Sequence, residues 1–225
     1  MLTKAISLTP TRTPADYTDP VNNLPRNAFR RQDESPDELF YRQPRFVTHI
    51  DDGAIGAVTQ LYREFLPAGG AILDLMSSWV SHLPPEVSYR RVVGLGLNRE
   101  ELARNPRLER FVVQNLNTNP QLPFEDGAFD GADIAVSVDY LTDPVTVLRD
   151  LGRVLAPGAP VVITFSNRCF PTKAVAVWHT LSDPGRLELV EGYLQEAGNW
   201  EGIEGLDRSP NRWGDPLYAV VARAA

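Results

Sequence analysis

The sequence predicts an α/β fold: a doubly wound, mostly parallel sheet with helices on both faces, preceded by an irregular N-terminal arm. Two observations carry this. After Gly70, short apolar runs alternate with polar stretches of helical periodicity, the pattern of parallel strands joined by crossover helices. Before residue 46 the chain is rich in Pro, Arg, Asn and Asp, with little apolar periodicity. The expected division is an arm over 1–45, its first dozen or so residues disordered, and an α/β domain over 46–225.

Each element has its own warrant. Ile55, Val58, Leu61, Tyr62 and Phe65 recur at three- and four-residue spacings, which predicts a helix over 52–66. Asp51 or Asp52 caps it, and Pro67-Ala-Gly-Gly ends it. Apolar runs predict strands at 71–75, 91–97, 110–114, 130–138 and 160–166. A short helix is expected over 98–104. A longer one over 144–155 puts Val147, Leu148, Leu151, Val154 and Leu155 on one face, with Asp143 before it and Pro144 in the tolerated first turn. A helix over 187–197 and a final strand over 217–223 complete the domain.

Bulk properties narrow the function. A chain of 225 residues with 43% hydrophobic residues can bury a core without a disulfide or metal staple. The net charge of −7 and pI near 5.0 give no basic footprint, so a nucleic-acid partner is not expected. The apolar runs are too short to span a membrane, and the opening MLTKAISLTPTRTP lacks an apolar core for secretion. Cys169 is the only cysteine, which excludes an intrachain disulfide and points to the cytoplasm. His and Cys residues are scattered, so no metal site is expected.

Residues 122–167 are the most specific stretch. Leu122-Pro123-Phe124, Asp126, Phe129-Asp130, Tyr140-Leu141, Asp143-Pro144 and Arg153-Val154-Leu155-x-Pro157-Gly158 follow one another in fixed order. The stretch resembles the class I S-adenosylmethionine (SAM)-dependent methyltransferases, particularly the group that includes quinone-biosynthesis methyltransferases. The resemblance implies a Rossmann-like methyltransferase fold, SAM as cofactor and a small-molecule substrate.

Registered on that anchor, the family's glycine-rich loop falls on residues 71–84. The acid is present as Asp74, but Met76, Ser78 and Val80 stand at the glycine positions, where backbone normally approaches the cofactor without an intervening Cβ. The ribose-binding acid falls at Gly96, a loss of charge-assisted hydrogen bonds worth ~1.5–3 kcal/mol each. Asn98 is expected to substitute in part. The adenine contacts map to Asn115 and the Leu116 N–H. Cofactor-binding residues implied are thus Asp74, Ser77, Ser78, Trp79, Asn98, Asn115 and Leu116; the Trp79 indole either faces the sulfonium cation or fills space and packs on a helix that follows the loop.

Methyl transfer is an in-line displacement and needs a base only if the acceptor must lose a proton. Open α/β sheets bind ligands beyond the C-terminal ends of their strands. Asp139, His82 and His49 are the candidate bases there. Tyr41, Tyr140, Asn167 and Arg168 are the candidate substrate contacts, with Arg168 suited to an anionic acceptor. Each histidine also reads as a capping or surface group, Cys169 as a buried thiol, Trp178, Trp200 and Trp213 as packing residues, and the Glu100-Glu101 pair as dipole placement at a helix start. Two functions remain: a SAM-dependent methyltransferase acting on a small molecule, or a non-catalytic protein of the same fold that binds another ligand or a protein partner.

Overall fold

The computed structural model describes residue 21 and residues 24–225, so the expectation of disorder over the first dozen residues lies outside the described part. Seven strands form one sheet: β1 (Ala71–Leu75), β2 (Arg91–Gly96), β3 (Arg110–Val113), β4 (Gly131–Ala135), β5 (Pro160–Phe165), β6 (Trp200–Asp207) and β7 (Tyr218–Ala224), in the order β3-β2-β1-β4-β5-β7-β6. β1 to β5 are parallel, and β7 lies antiparallel between β5 and β6. The strand order reverses between β1 and β4. That switch point is where a doubly wound sheet opens a ligand crevice.

Among the described residues six helices surround the sheet: α1 (Asp37–Phe40), α2 (Asp52–Phe65), α3 (Arg99–Arg104), α4 (Pro144–Val154), α5 (Ala176–Thr180) and α6 (Asp183–Ala197). Strand side chains alternate between two faces. Leu73, Leu75, Ile134, Val161 and Ile163 pack with α4 and α6, through residues such as Leu148, Leu151, Leu189 and Tyr193. Ile72, Val162, Ala219 and Val221 pack instead on Ala54, Val58, Leu61 and Tyr62 of α2. Burial of both faces explains why β1 and β5 are apolar throughout, apart from Asp74 and Thr164.

The caps behave as their chemistry requires. Asp51 accepts from Ala54 N–H, Asp143 from Thr146 N–H, and Asn98 from the N–H groups of Glu100 and Glu101. Other elements differ from expectation. No helix lies between β1 and β2, where residues 76–90 are irregular, and α2 covers that part of the sheet instead. Side chains satisfy this loop: Asn105 Nδ2 donates to Ser78 O, Thr59 Oγ1 to His82 O and Arg107 Nη2 to Val87 O. β4 ends at Ala135, three residues early, because Val136 takes a positive φ of 42° and the chain turns into a 3-10 turn at Val138–Tyr140. β6 was not expected. Trp200, Ile203 and Leu206 recur every third residue rather than every second, and a bulge between Glu201 and Glu204 absorbs the mismatch.

Residues 28–31 are tied to the domain by Ala176 N–H to Arg30 O (2.8 Å) and Val177 N–H to Ala28 O (2.9 Å). Beyond them lies a buried ionic cluster. Arg31 Nη1 meets Asp37 Oδ1 at 2.6 Å, and the fully buried Lys173 reaches Asp37 Oδ1 at 3.2 Å and Ser35 O at 2.7 Å. From this anchor residues 38–50 cross the sheet edge as a strap. Among the described residues no helix is long and apolar enough to cross a membrane.

Candidate active site

A cleft of about 610 Å³ opens at the C-terminal ends of β1, β2 and β4, beneath the strap. That volume is within the ~300–1,000 Å³ usual for small-molecule sites. One end is lined by Met76, Ser77, Ser78, Gly96, Asn98, Glu101, Asn115 and Leu116. The other is lined by Tyr41, Arg45, His49, Tyr140, Asn167, Arg168 and Phe170.

The first end is shaped by the loop after β1. Met76 adopts a φ of 60°, the left-handed conformation that glycine takes most easily, so the backbone turn survives without the glycine. Ser77 N–H then donates to Leu95 O at 2.8 Å and draws the loop onto the end of β2. Its carbonyl oxygen sits so close to Gly96 that a Cβ built there would lie 2.1 Å away. Glycine at 96 is therefore required by the loop, and an acid at that position has no room.

Asp74 does not line the cleft; it is buried behind it, accepting hydrogen bonds from Ser77 Oγ (2.7 Å) and from Ser81 Oγ. Burial raises its pKa to about 6, against the pull of those two hydroxyls. Its register partner on β4 is Asp133, also fully buried, and burial together with the neighbouring Asp74 charge holds the Asp133 carboxyl well above its ordinary range.

Asn98 reaches the cleft with its polar atoms engaged. Oδ1 caps α3, while Nδ2 donates to Tyr41 O (2.8 Å) and Arg42 O (3.3 Å) of the strap. Glu101, three residues later, bridges the loop after β1 and the strap: Ser78 Oγ donates to Oε2 and Arg45 N–H to Oε1, both at 2.7 Å. The Asn98-x-x-Glu101 spacing is that of a capping box, yet the glutamate turns to the strap instead of back to its own cap. Trp79 lies outside the cleft lining. Its Nε1 donates to Val47 O at 3.0 Å and its ring meets Phe46 edge-on. Asn115 Oδ1 accepts from Asn117 N–H and Nδ2 donates to Glu38. The backbone N–H of Leu116 donates to no acceptor among the described residues.

At the second end, Phe170 is the hub. Its ring centroid is 6.2 Å from Tyr41, 5.9 Å from Tyr140 and 5.2 Å from His49, and the Arg45 guanidinium carbon lies 5.1 Å from it. Partial enclosure lowers the His49 pKa, outweighing the opposite pull of Glu101, which favours the neutral ring. His82 does not line the cleft; burial, then His49 nearby, lowers its pKa too. Asp139 lies behind the wall, buried, with burial raising its pKa to about 8. Cys169 lines the cleft half-buried, and burial raises its thiol pKa. Trp178 and Trp200 are buried, whereas Trp213 is 94% exposed and is not the packing residue expected.

The strand order, the antiparallel β7 and the cleft position define a class I methyltransferase fold. Residues 77–163 match the methyltransferase domain family. The methyltransferase GfsG of Streptomyces halstedii is 25% identical over 204 residues, spanning 81% of this chain and 71% of that protein. Among solved structures, the cyclase SpnF matches with a TM-score of 0.58 at 17% identity, over 83% of this chain and 91% of that one. A SAM-dependent methyltransferase from Mesorhizobium loti matches with a TM-score of 0.53 at 18% identity, over 74% and 97%. Haemonchus contortus phosphoethanolamine N-methyltransferase 2, in complex with SAM, matches with a TM-score of 0.55 at 15% identity, over 75% and 52%. The methyltransferase-domain match thus covers the central part of the chain, and the solved structures share its class I methyltransferase fold.

Arg45 and Phe170 line the cleft without having been singled out from the sequence, and Glu101, read there as dipole placement at a helix start, lines it too. The aromatic density of residues 40–46 was the available signal for Arg45, and the Asn98–Glu101 spacing for Glu101.

Proposed function

We propose that this protein transfers a methyl group from SAM to a small acceptor held between the strap and the end of the sheet. The observation that carries this is the two-ended cleft at the switch point. SAM fits its first end: the Leu116 N–H is an unmet donor there, Asn115 flanks it, and Ser77, Ser78 and Glu101 supply polar groups where the ribose acid is missing. Bound there, SAM supplies an electrophilic methyl group. The strap and the Phe170 cluster exclude water from the second end, and Tyr41, Tyr140, Asn167 and Arg168 orient the acceptor. His49, on the cleft wall with its neutral form favoured, takes the acceptor's proton where there is one to lose. The arm and the remaining chain act as one unit, working in the cytoplasm on a small molecule rather than on nucleic acid.

Calorimetric titration with S-adenosylhomocysteine tests the reading; saturable binding is expected, and no heat at millimolar ligand refutes it. One observation favours a second reading. The Ser77 carbonyl packed on Gly96 removes the usual ribose acid, which suits a cleft that binds a different ligand. The same titration separates the two.

A further inference from the structure

We infer that the acceptor is an oxygen acid, a carboxylate or acidic phenol carried on a planar apolar body, bound around Phe170 with Arg45 as its anion-recognising residue. This deepens the methyl-transfer reading and rests on it for the acceptor's fate.

Three side chains at this end of the cleft, Arg45, Tyr140 and Tyr41, leave donors unpaired. Arg45 Nη2 donates to Phe40 O, but Nη1 is buried without an acceptor. Its guanidinium carbon is 4.6 Å from the Phe40 ring, 5.7 Å from Tyr41 and 5.1 Å from Phe170, so aromatic faces hold the fork in place. The Tyr140 hydroxyl accepts from Phe170 N–H at 2.8 Å, which leaves its own proton to donate. The Tyr41 hydroxyl makes no hydrogen bond among the described residues. Arg168 adds a second cation on the lining, with its Nε 3.2 Å from Asp215 Oδ1.

The carboxylates on the lining are already engaged. Asp37 is matched by Arg31 and Lys173, and Glu101 by Ser78 and the Arg45 N–H. An ammonium acceptor would therefore find cations and donors around Phe170, where the one lining carboxylate without a cation partner, Glu101, has both oxygens held by Ser78 and the Arg45 N–H. An oxygen anion finds unmet donors, and a ring finds the faces of Phe170 and Tyr140. In the transfer, the O–CH₃ bond forms as the C–S bond breaks and its electron pair stays on sulfur. A phenol's proton goes to His49, whereas a carboxylate has none to lose.

The test compares benzoate with benzylamine, probes of equal size and opposite charge, by saturation-transfer NMR and calorimetry on the full chain, with and without S-adenosylhomocysteine. Benzoate is expected to bind about tenfold or more tightly than benzylamine, and Arg45→Met to abolish that preference. Tyr140→Phe, which keeps the ring, is expected to weaken benzoate alone. Equal binding of the two probes, no benzoate binding at millimolar concentration, or an unchanged preference in a folded Arg45→Met protein overturns the inference. Benzoate preference without S-adenosylhomocysteine binding removes the methyl-transfer reading and leaves the anion site. Cofactor binding without benzoate preference does the reverse.

Discussion

The carbonyl oxygen of Ser77 occupies the space where a side chain on Gly96 would begin, 2.1 Å from an ideal Cβ. The usual acid at this position cannot be restored by substitution alone.

Gly96→Ala is thus expected to destabilise the fold by ~1–3 kcal/mol, because the obstruction is backbone and cannot swing aside. Gly96→Asp should lower the melting temperature at least as far and leave S-adenosylhomocysteine affinity no better. Thermal melts with parallel titrations check both; a stable Gly96→Asp protein with tighter binding would mean that the loop yields easily.

Asn98 ties α3 to the strap through both ends of its amide. Asn98→Ala should cost ~1 kcal/mol for the cap. It should also loosen residues 41–45, seen as faster amide exchange at Arg45 and as earlier proteolysis within the strap. Unchanged exchange at Arg45 would assign the hold to Glu101 instead.

Lys173 is fully buried against Asp37 and two backbone carbonyls. Lys173→Met keeps the chain length but strands the Asp37 charge with Arg31 alone. A loss of ~3–5 kcal/mol is expected, the magnitude for breaking a buried ion pair from one side. Urea unfolding measures it, and near-wild-type stability would show that Arg31 suffices.

Asp139 gives a pH signature. Burial raises its folded pKa to about 8 from the ordinary 3.8, so between those values the native state holds a proton that the unfolded chain has lost. Its contribution to stability therefore falls as pH rises toward 8 and levels off above it. Asp139→Asn should flatten the stability profile between pH 6 and 8. Because Asp139 stands behind the cleft wall, the substitution should leave S-adenosylhomocysteine affinity within about twofold, well under one charged hydrogen bond.

How much of this was legible beforehand varies with the physics. β1, β2, β5, α2 and α4 follow from apolar periodicity because two packed faces impose it. β6 is an edge strand whose bulge breaks the alternation, so its pattern hid it. The missing helix between β1 and β2 left no mark either, since α2, from earlier in the chain, supplies the cover. At the site, Tyr41, His49, Tyr140, Asn167 and Arg168 meet at one end of the cleft as their places after the strands and in the arm suggested. Asp74, Trp79, His82 and Asp139 stand off the lining, because which way a side chain turns depends on contacts made far along the chain. Trp79, for instance, turns toward Val47.

Glu101 holds the loop with one carboxylate oxygen and the strap with the other. If a ligand at the first end firms up the loop, the strap must tighten with it, and an acceptor that settles the strap must raise affinity at the first end by the same factor. The two halves of the cleft then fill in concert, and the order of addition leaves the final equilibrium unchanged.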